Sequence, residues 1–536
     1  MLRQILRSTG PCVLIFAASP AAQTQPESQA PPKAMATIGK RELLRHATFL
    51  SCDDLQGRRT GSPGQAAAAE YIKNHFTKLG LEPLGDEVHG DANGSQLRSF
   101  LQLYPIQRTL LKASELRFGA TKLKHGYAVL GARERNLDTR AKLQFVGLGR
   151  TQGARSDLAE AERLEGKIAV VLIKPPKGEI PAGLGIEQTS GMCFTVLRRI
   201  GRTARILGQR GAEAILFVQT EDKIGLSEEL NYLALSPGKA MVTANFPDAD
   251  PGLGNRMSKP GPGSVPTMVL SVAASKAVLR ELAVKPGQVA EYFAGDRRMC
   301  AAKSDVDASL RLEIVHEGDA RASNVVALLR GSDPELREQA IVYSAHMDHV
   351  GMRMDGEVFN GADDNASGAA GLLAIASAYA KERPRRSIIF LSVSGEELGL
   401  WGSQFYVDHA TWPLDKIVAN INTDGLGRSG CEAGPDEITV TPSYRHGNYS
   451  TVVRDAVGFA RQLGVTFTSG DKYYTRSDHY HFAKKGIPVV FFCSGEHEDY
   501  HQVSDTVDKL DGAKMERMAR LAFWTGWHVA STDTLP

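Results

Sequence analysis

IVYSAHMDHVGMRMDGEVFNGADDNASGAAGLL, residues Ile341–Leu373, is the stretch whose reading decides the fold. Its apolar start (Ile341, Val342, Tyr343) predicts a strand, and His346 and Asp348 stand where that strand ends. A Gly-rich loop then delivers Asp363 and Asp364 to a segment whose Ala, Gly and Leu content predicts a helix. Imidazole and carboxylate at a strand mouth, facing more carboxylate at a helix entrance, suit a metal site in an α/β protein. By itself the stretch does not establish one, because His-x-Asp and Asp-Asp are common pairs.

The same alternation continues through the last part of the chain. Strands are expected at Asn324–Leu329, Ile341–Ser344, Ser387–Val393, Ile417–Asn422 and Ile487–Cys493. Helices are expected at Ser367–Lys381, Ser403–Asp408, Tyr449–Leu463, Asp478–Lys484 and Lys514–His528. This pattern predicts an α/β fold with a mixed, mainly parallel central sheet, helices on both faces, and sites at the carboxyl ends of strands. Polar residues recur at those ends. SIIFLSV runs into Ser394-Gly395-Glu396-Glu397, Ile417–Asn422 into Asp424, and Ile487–Cys493 into GEHEDYH with His497 and His501. Each is weak alone, since an Asp after a strand is commonly a turn or cap and a lone His a satisfied polar residue. Consecutive strand ends bearing His, Asp, Glu-Glu, Asp and His form a pattern. Oxygen and imidazole donors without thiolate suit Zn²⁺, and the set is too large for one tetrahedral zinc with an open position. It suits two zincs sharing a bridging carboxylate, about 3.5–4 Å apart.

Upstream, helical periodicity begins at Arg41 and returns at Gln65–Leu79, which Gly80 ends. Leu101–Ile106 predicts the first strand. From about Leu116 to Phe293 short strand-like runs (Leu143–Val146, Ile168–Ile173, Ala214–Val218, Met268–Ser271) alternate with Gly- and Pro-rich loops, with one helix near Thr203–Gly211. LEGKIAVVLI and ARILGQRGAEAILFV resemble the protease-associated domain, a β-rich module inserted in secreted hydrolases. GLGRTQG has the wrong glycine spacing for a dinucleotide fingerprint.

SAHMDHVG, GADDNASG, SGEELGLWGS, NTDG and DYHQVSDT, in this order, resemble the secreted di-zinc aminopeptidases, whose wider relatives include glutamate carboxypeptidase and the non-catalytic transferrin receptor. The resemblance covers roughly 40–110 and 300–530. It implies the di-zinc exopeptidase fold, with two Zn²⁺ as cofactors and a peptide with a free N-terminus as substrate. It also implies that His346 and Asp424 serve one zinc, Glu397 and His501 the other, and Asp363 bridges them. Glu396 is then the general base, taking a proton from water between the zincs. Asp348 orients His346 through its other ring nitrogen, Asp364 fixes the backbone or supports the ligands, and His349 is structural. Tyr474, three residues before Ser477-Asp478-His479, is expected to assist the oxyanion.

Other readings are weighed against this one. His497-Glu498-Asp499-Tyr500-His501 matches H-E-x-x-H, the single-zinc protease signature, which requires a helix where a polar turn is expected. A serine hydrolase is disfavoured because G-x-S-x-G is missing from the sequence. A non-catalytic, receptor-like peptide binder conflicts with a complete ligand set. Carboxypeptidase, dipeptidase and amidohydrolase activities stay open on the same site.

Composition sets the compartment and size. The 536 residues exceed one ordinary domain. A net charge of +2, from 63 basic and 61 acidic residues without a basic block, gives no electrostatic case for nucleic acid or anionic membrane. Arg3 and Arg7 precede an apolar run, Pro11 to Ala18, and small residues through Ala22, the layout of a signal peptide. The expected organisation is a signal peptide (1–22), a flexible leader (23–38), a first peptidase part (39–115), the β-rich insert (116–298) and a second peptidase part with the metal site (299–536). Export to a periplasm or the outside is expected, and no later run approaches the roughly 20 apolar residues of a membrane span. The six cysteines show neither CxxC spacing nor a disulfide framework.

Overall fold

The computed structural model describes residues 31–88, 97–130, 136–151, 156–174 without 160, 186–222, 226, 230, 234–249, 265–294, and 305–536 without 431. The expected signal peptide, most of the leader, Cys12, Cys300, Cys431 and the side chain of Cys193 lie outside the described residues. Cys52 and Cys493 are free thiols. No helix among the described residues is long and apolar enough to cross a membrane.

Helices α1 (Lys40–Leu50) and α2 (Pro63–Lys78) come first. Helix α2 starts at Ser62, whose hydroxyl accepts from the Gln65 N–H, with Pro63 in the first turn where its missing N–H costs nothing. Strand β1 (Leu101–Phe118) leads into an insert of β2 (Tyr127–Leu130), β3 (Leu137–Phe145), β4 (Lys167–Leu172), α3 (Ile186–Gln209), β5 (Ala214–Val218), β6 (Met241–Ala244), β7 (Thr267–Leu270), α4 (Val272–Glu281) and α5 (Pro286–Ala294). Strand β8 (Asp307–Leu329) returns from it. There follow β9 (Ala340–His346), α6 (Gly368–Tyr379), β10 (Ser387–Val393), α7 (Trp401–Asp408) and β11 (Ile417–Asp424). The chain closes with β12 (Glu437–Thr441), α8 (Thr451–Gln462), β13 (Thr466–Ser469), α9 (His479–Lys484), β14 (Val489–Cys493) and α10 (Gly512–Ser531).

The strands form one continuous sheet in the order β13-β12-β14-β11-β9-β10-β8-β3-β4-β5-β7-β2. Its centre is parallel, β10-β9-β11-β14, as expected of buried βα repeats. Strand β9 shows why both faces must be covered. Ile341, Tyr343 and Ala345 pack with α6 and α10, while Ala340 and Val342 turn to the opposite face with Tyr406 of α7 and Phe482 of α9. Every residue of β9 and of α6 is buried. The small residues of α6 allow this close packing. A Cβ on Gly368 would stand 2.6 Å from the Thr423 carbonyl oxygen of β11.

The insert is less purely β than expected. Strands β3, β4, β5 and β7 run parallel and are packed with α3, α4 and α5, of which the last two were not foreseen. Helix α4 is short, capped by Ser271, and lost to sequence reading beside the Gly- and Pro-rich segment before it. Strand β1 extends well past the predicted Leu101–Ile106, because β8 pairs with it from Val325 to Ala308. The start of β8 (Asp307–Leu312) ladders with β3 and its end (Val325–Leu329) with β10, so one strand belongs to both halves of the sheet.

The insert also touches the segment that follows β9. Gly126 N–H donates to the Met354 carbonyl (2.8 Å), and Met354 is buried among insert side chains of β4, β5 and α3. Arg59 joins the Val350 carbonyl (3.0 Å) to that of Ala240 beside β6 (3.2 Å).

Candidate metal centre

Parallel pairing aligns the carboxyl ends of the central strands. His346 ends β9 opposite Val393 of β10, and Asp424 ends β11 opposite Cys493 of β14. The loops beyond therefore converge, and two groups of donors result. One is His349, Asp364, Glu397 and His501; the other is His346, Glu396 and Asp424.

Asp364 lies between the groups. One carboxylate oxygen is 3.4 Å from His346 Nε2, the other 2.9 Å from His501 Nε2. Asp363 does not: its Oδ1 accepts from the Gly427 N–H (2.6 Å) and its Oδ2 is 3.4 Å from His497 Nε2. The place between the two groups, expected of Asp363, is thus taken by Asp364, and Asp363 stands to one side of them. The reason is local. Asp505 accepts from the backbone N–H groups of both residues (3.0–3.1 Å), pinning the turn so that successive side chains diverge.

Glu397 Oε2 lies 3.1 Å from His501 Nε2, and its Oε1 2.7 Å from His349 Nδ1. His346 Nε2 is 3.2 Å from Asp424 Oδ1, and Ser477 donates to the other oxygen of Asp424 (3.0 Å). Asp348 supports His346 differently from expectation. The His346 Nδ1 partner is the Asp348 backbone carbonyl (3.2 Å), whereas its side chain is 3.7 Å away. That carboxylate instead accepts from Thr60 Oγ1 (2.7 Å) and the Glu396 N–H (3.4 Å), and Thr60 also receives the Gly395 N–H. Arg58, fully buried, donates to the carbonyls of Met347, Asn360 and Gly361, tying together both ends of the loop between the ligands. Burial lowers its pKa to about 10, against the pull of Asp364 and Asp348. Thr60, Arg58, His349 and Asp505 were not singled out for these roles. Asp505 and His349 carried a signal, as parts of the DYHQVSDT and SAHMDHVG motifs.

The site's electrostatics divide its two neighbouring glutamates. Burial, with Asp424 and Glu397 nearby, pushes Glu396 well above the usual carboxylate range despite His346. Burial pushes Glu397 the same way, but His501 and His349 outweigh it and hold Glu397 well below. Glu396 is thus suited to carry a proton, and Glu397 to stay an anion.

The donor set fits divalent metal. His346 Nε2 and Asp364 Oδ2 are buried without a hydrogen-bond partner, although ligand-type atoms lie within 3.4 Å of each. Buried polar atoms that approach one another without hydrogen bonding are expected to share a cation. Tetrahedral zinc with bonds of about 2.0–2.1 Å has ligand–ligand edges of about 3.3 Å. The His–carboxylate separations of 2.9–3.4 Å around Asp364, Asp424 and His501 match.

Beside the cluster a pocket is lined by Asp364, Asp424, Tyr473, Arg476, Glu496 and Tyr500, among others. Tyr474 is not brought there. Its hydroxyl accepts from the Asn448 amide and its ring lies 4.0 Å from that of His446. Residues 497–501 form a turn and not a helix, and His497 and His501 face different carboxylates, so the H-E-x-x-H geometry is not formed.

Residues 324–525 match peptidase family M28. The chain is 26% identical over 256 residues to a protein of Leptosphaeria maculans named "Probable zinc metalloprotease", covering 40% of this chain and 59% of that one. It is 37% identical over 106 residues to the vacuolar membrane protease of Lachancea thermotolerans, covering 20% of this chain and 10% of that one. The chain thus spans three fifths or less of these relatives. Among solved structures, the zinc aminopeptidase of Bacillus subtilis superposes with a TM-score of 0.53 at 17% identity, over 93% of this chain and 97% of that one. A peptidase M28 precursor of Shewanella amazonensis gives 0.52 at 20% identity, over 94% and 96%. At these identities the likeness is one of fold.

Proposed function

From the match of residues 324–525 to peptidase family M28 we propose that the chain is a zinc-dependent exopeptidase, an aminopeptidase that trims peptides from a free N-terminus. The observation that carries this reading is the convergence of two imidazole–carboxylate groups on one carboxylate, Asp364, beside a glutamate poised to hold a proton. His346, Asp424 and Asp364 would hold one zinc, and Asp364, Glu397 and His501 the other. When bound, the ions supply the positive charge that makes water acidic and a peptide carbonyl electrophilic.

The residues do the rest. Glu396 takes the proton of the attacking water on its carboxylate and passes it to the leaving amine, so the chemistry ends with Glu396 as it began. Thr60 and Asp348 fix the backbone from which Glu396 projects. Glu496 and Asp424, both in the pocket lining, offer carboxylate oxygens to a free α-amino group. Tyr474 belongs to the proposal only if its ring leaves Asn448 when substrate arrives.

Arg476 supports a second reading. It lines the same pocket, paired with Glu496 (2.8 Å), and a guanidinium released from that pair would grip a C-terminal carboxylate, as a carboxypeptidase or dipeptidase requires. Digesting peptides blocked at one end or the other decides between the readings. Trimming of C-terminally amidated but not N-acetylated peptides, lost with a chelator and restored by zinc, is the result expected of the aminopeptidase. Export, inferred from Arg3, Arg7 and the following apolar run, is part of the proposal; the N-terminus of the protein from its host checks it.

A further inference from the structure

His349 stands three residues past His346, beyond the end of β9, and falls in one of the two donor groups without a role assigned to it so far. Its ring is buried and lies against Gly361, where a Cβ would stand 2.4 Å from the imidazole Cδ2. Arg58 grips the carbonyl of the same glycine, so the ring is confined on that side. Its centroid is 5.7 Å from that of His501, the planes inclined at 69°. His349 Nδ1 is 2.7 Å from Glu397 Oε1 and 3.7 Å from Asp364 Oδ2. These separations bracket the tetrahedral edge of about 3.3 Å. One donor atom each from His349, Asp364, Glu397 and His501 falls within 4.8 Å of every other.

We propose that His349 is a fourth protein ligand of the metal held by Asp364, Glu397 and His501, so that this position is closed and the other is the open one. The inference rests on the two-metal reading given above. Four protein donors satisfy a tetrahedral zinc and leave no vertex for substrate. At the His346 and Asp424 position three donors would serve when Asp364 is shared, and Glu396 beside them is the group that handles the proton rather than a ligand. The first position would then serve to fix Asp364 and Glu397, and the second to supply positive charge beside Glu396. His497 makes a useful contrast. Its Nε2 meets Asp363 (3.4 Å), and its Nδ1 accepts from the Asp499 N–H, and neither donor group includes it.

The test uses the full chain loaded with Zn²⁺ or Co²⁺, with His349→Asn and His349→Ala beside the wild type. Asparagine places an amide near the Nδ1 position and keeps a hydrogen bond to Glu397, without imidazole ligation. Titration with a chromophoric chelator gives the affinity of each ion, and the visible spectrum of the Co²⁺ form reports coordination. The expected result is two ions in the wild type, and in both variants one ion unchanged and the other weakened by about tenfold or more, with an altered Co²⁺ spectrum. If His349→Asn binds both ions like the wild type with the same spectrum, the inference is overturned while the two-metal reading stands. If the wild type itself binds fewer than two ions, both fall together.

Discussion

Exchanging the carboxylates of the Asp363-Asp364 pair one at a time gives the sharpest test of the geometry. Asp364→Asn removes the negative charge that meets both His346 (3.4 Å) and His501 (2.9 Å). Removing one partner of a buried charge pair costs about 3–5 kcal/mol. At about 1.4 kcal/mol per decade that is roughly a 10²- to 10⁴-fold loss of metal affinity, and both ions share it because both lean on this residue. Asp363→Asn changes much less. The new side chain keeps an oxygen for the Gly427 N–H, now 2.6 Å from Oδ1, and loses the charge assistance of that bond and the charge facing His497 (3.4 Å), about 1 kcal/mol of stability. The assay is metal content after dialysis against zinc buffers spanning several decades, with turnover of an amino-acid anilide alongside. The reasoning is refuted if Asp363→Asn sheds zinc as readily as Asp364→Asn.

Three further outcomes are expected. Glu396→Ala keeps both ions but loses about 10²- to 10⁴-fold in turnover, the usual range for a general base; near-wild-type turnover would remove Glu396 from its role. Gly526→Ala in α10 gains up to about 1 kcal/mol in helix propensity. Its Cβ, however, would sit 1.9 Å from Tyr343 Oη, a hydroxyl already bonded to Tyr379 and the Ala522 carbonyl (both 3.0 Å). Overpacking costs about 1–3 kcal/mol, so the thermal midpoint should fall, and a rise would contradict the packing. The third outcome concerns Asp499. Burial raises its pKa, but Lys509, Ser504 and Arg428 outweigh that and lower it to about 2. A depressed carboxylate pKa contributes stability above the unfolded value, about 4, that is lost as pH falls through about 2. The stability gap between wild type and Asp499→Asn in urea should therefore be full at pH 5 and shrink between pH 4 and 2; a gap independent of pH would show that the ion pairs contribute nothing.

The sheet and most of the donors were legible because their signals are long or repeated. Ser387–Val393 is a mainly apolar run whose observed limits equal the predicted ones, and its exit into Glu396-Glu397 needs no tertiary information to notice. Strand β12, Glu437–Thr441, and β13, Thr466–Ser469, escaped because each is a short run between loops, stabilised by neighbours rather than by its own pattern. Asp363 and Asp364 could not be told apart for a related reason. Side-chain parity is defined along a strand or helix, and these residues lie in a turn whose shape is imposed by Asp505, some 140 positions later. His349 fell to the same limit: once β9 has ended, counting residues from His346 no longer says which way an imidazole points. Tyr474 was placed by resemblance, and its bond to Asn448 depends on a loop the resemblance does not describe.

The segment from Met347 to Gly361 is held at its ends by Arg58, and near its middle by Arg59 and by insertion of Met354 into the core of the insert. A chain trimmed of residues 116–298 would keep every residue of the two donor groups and yet lose the wall that supports the span between His346 and Asp364. The insert is in that sense a mould: its described residues form none of the donor groups, but they shape the loop on which one of the donors rides. Because β8 is a single strand shared between the insert and the central sheet, the mould is fixed in place by the ladder that also builds the site, and the two are made, or lost, as one piece.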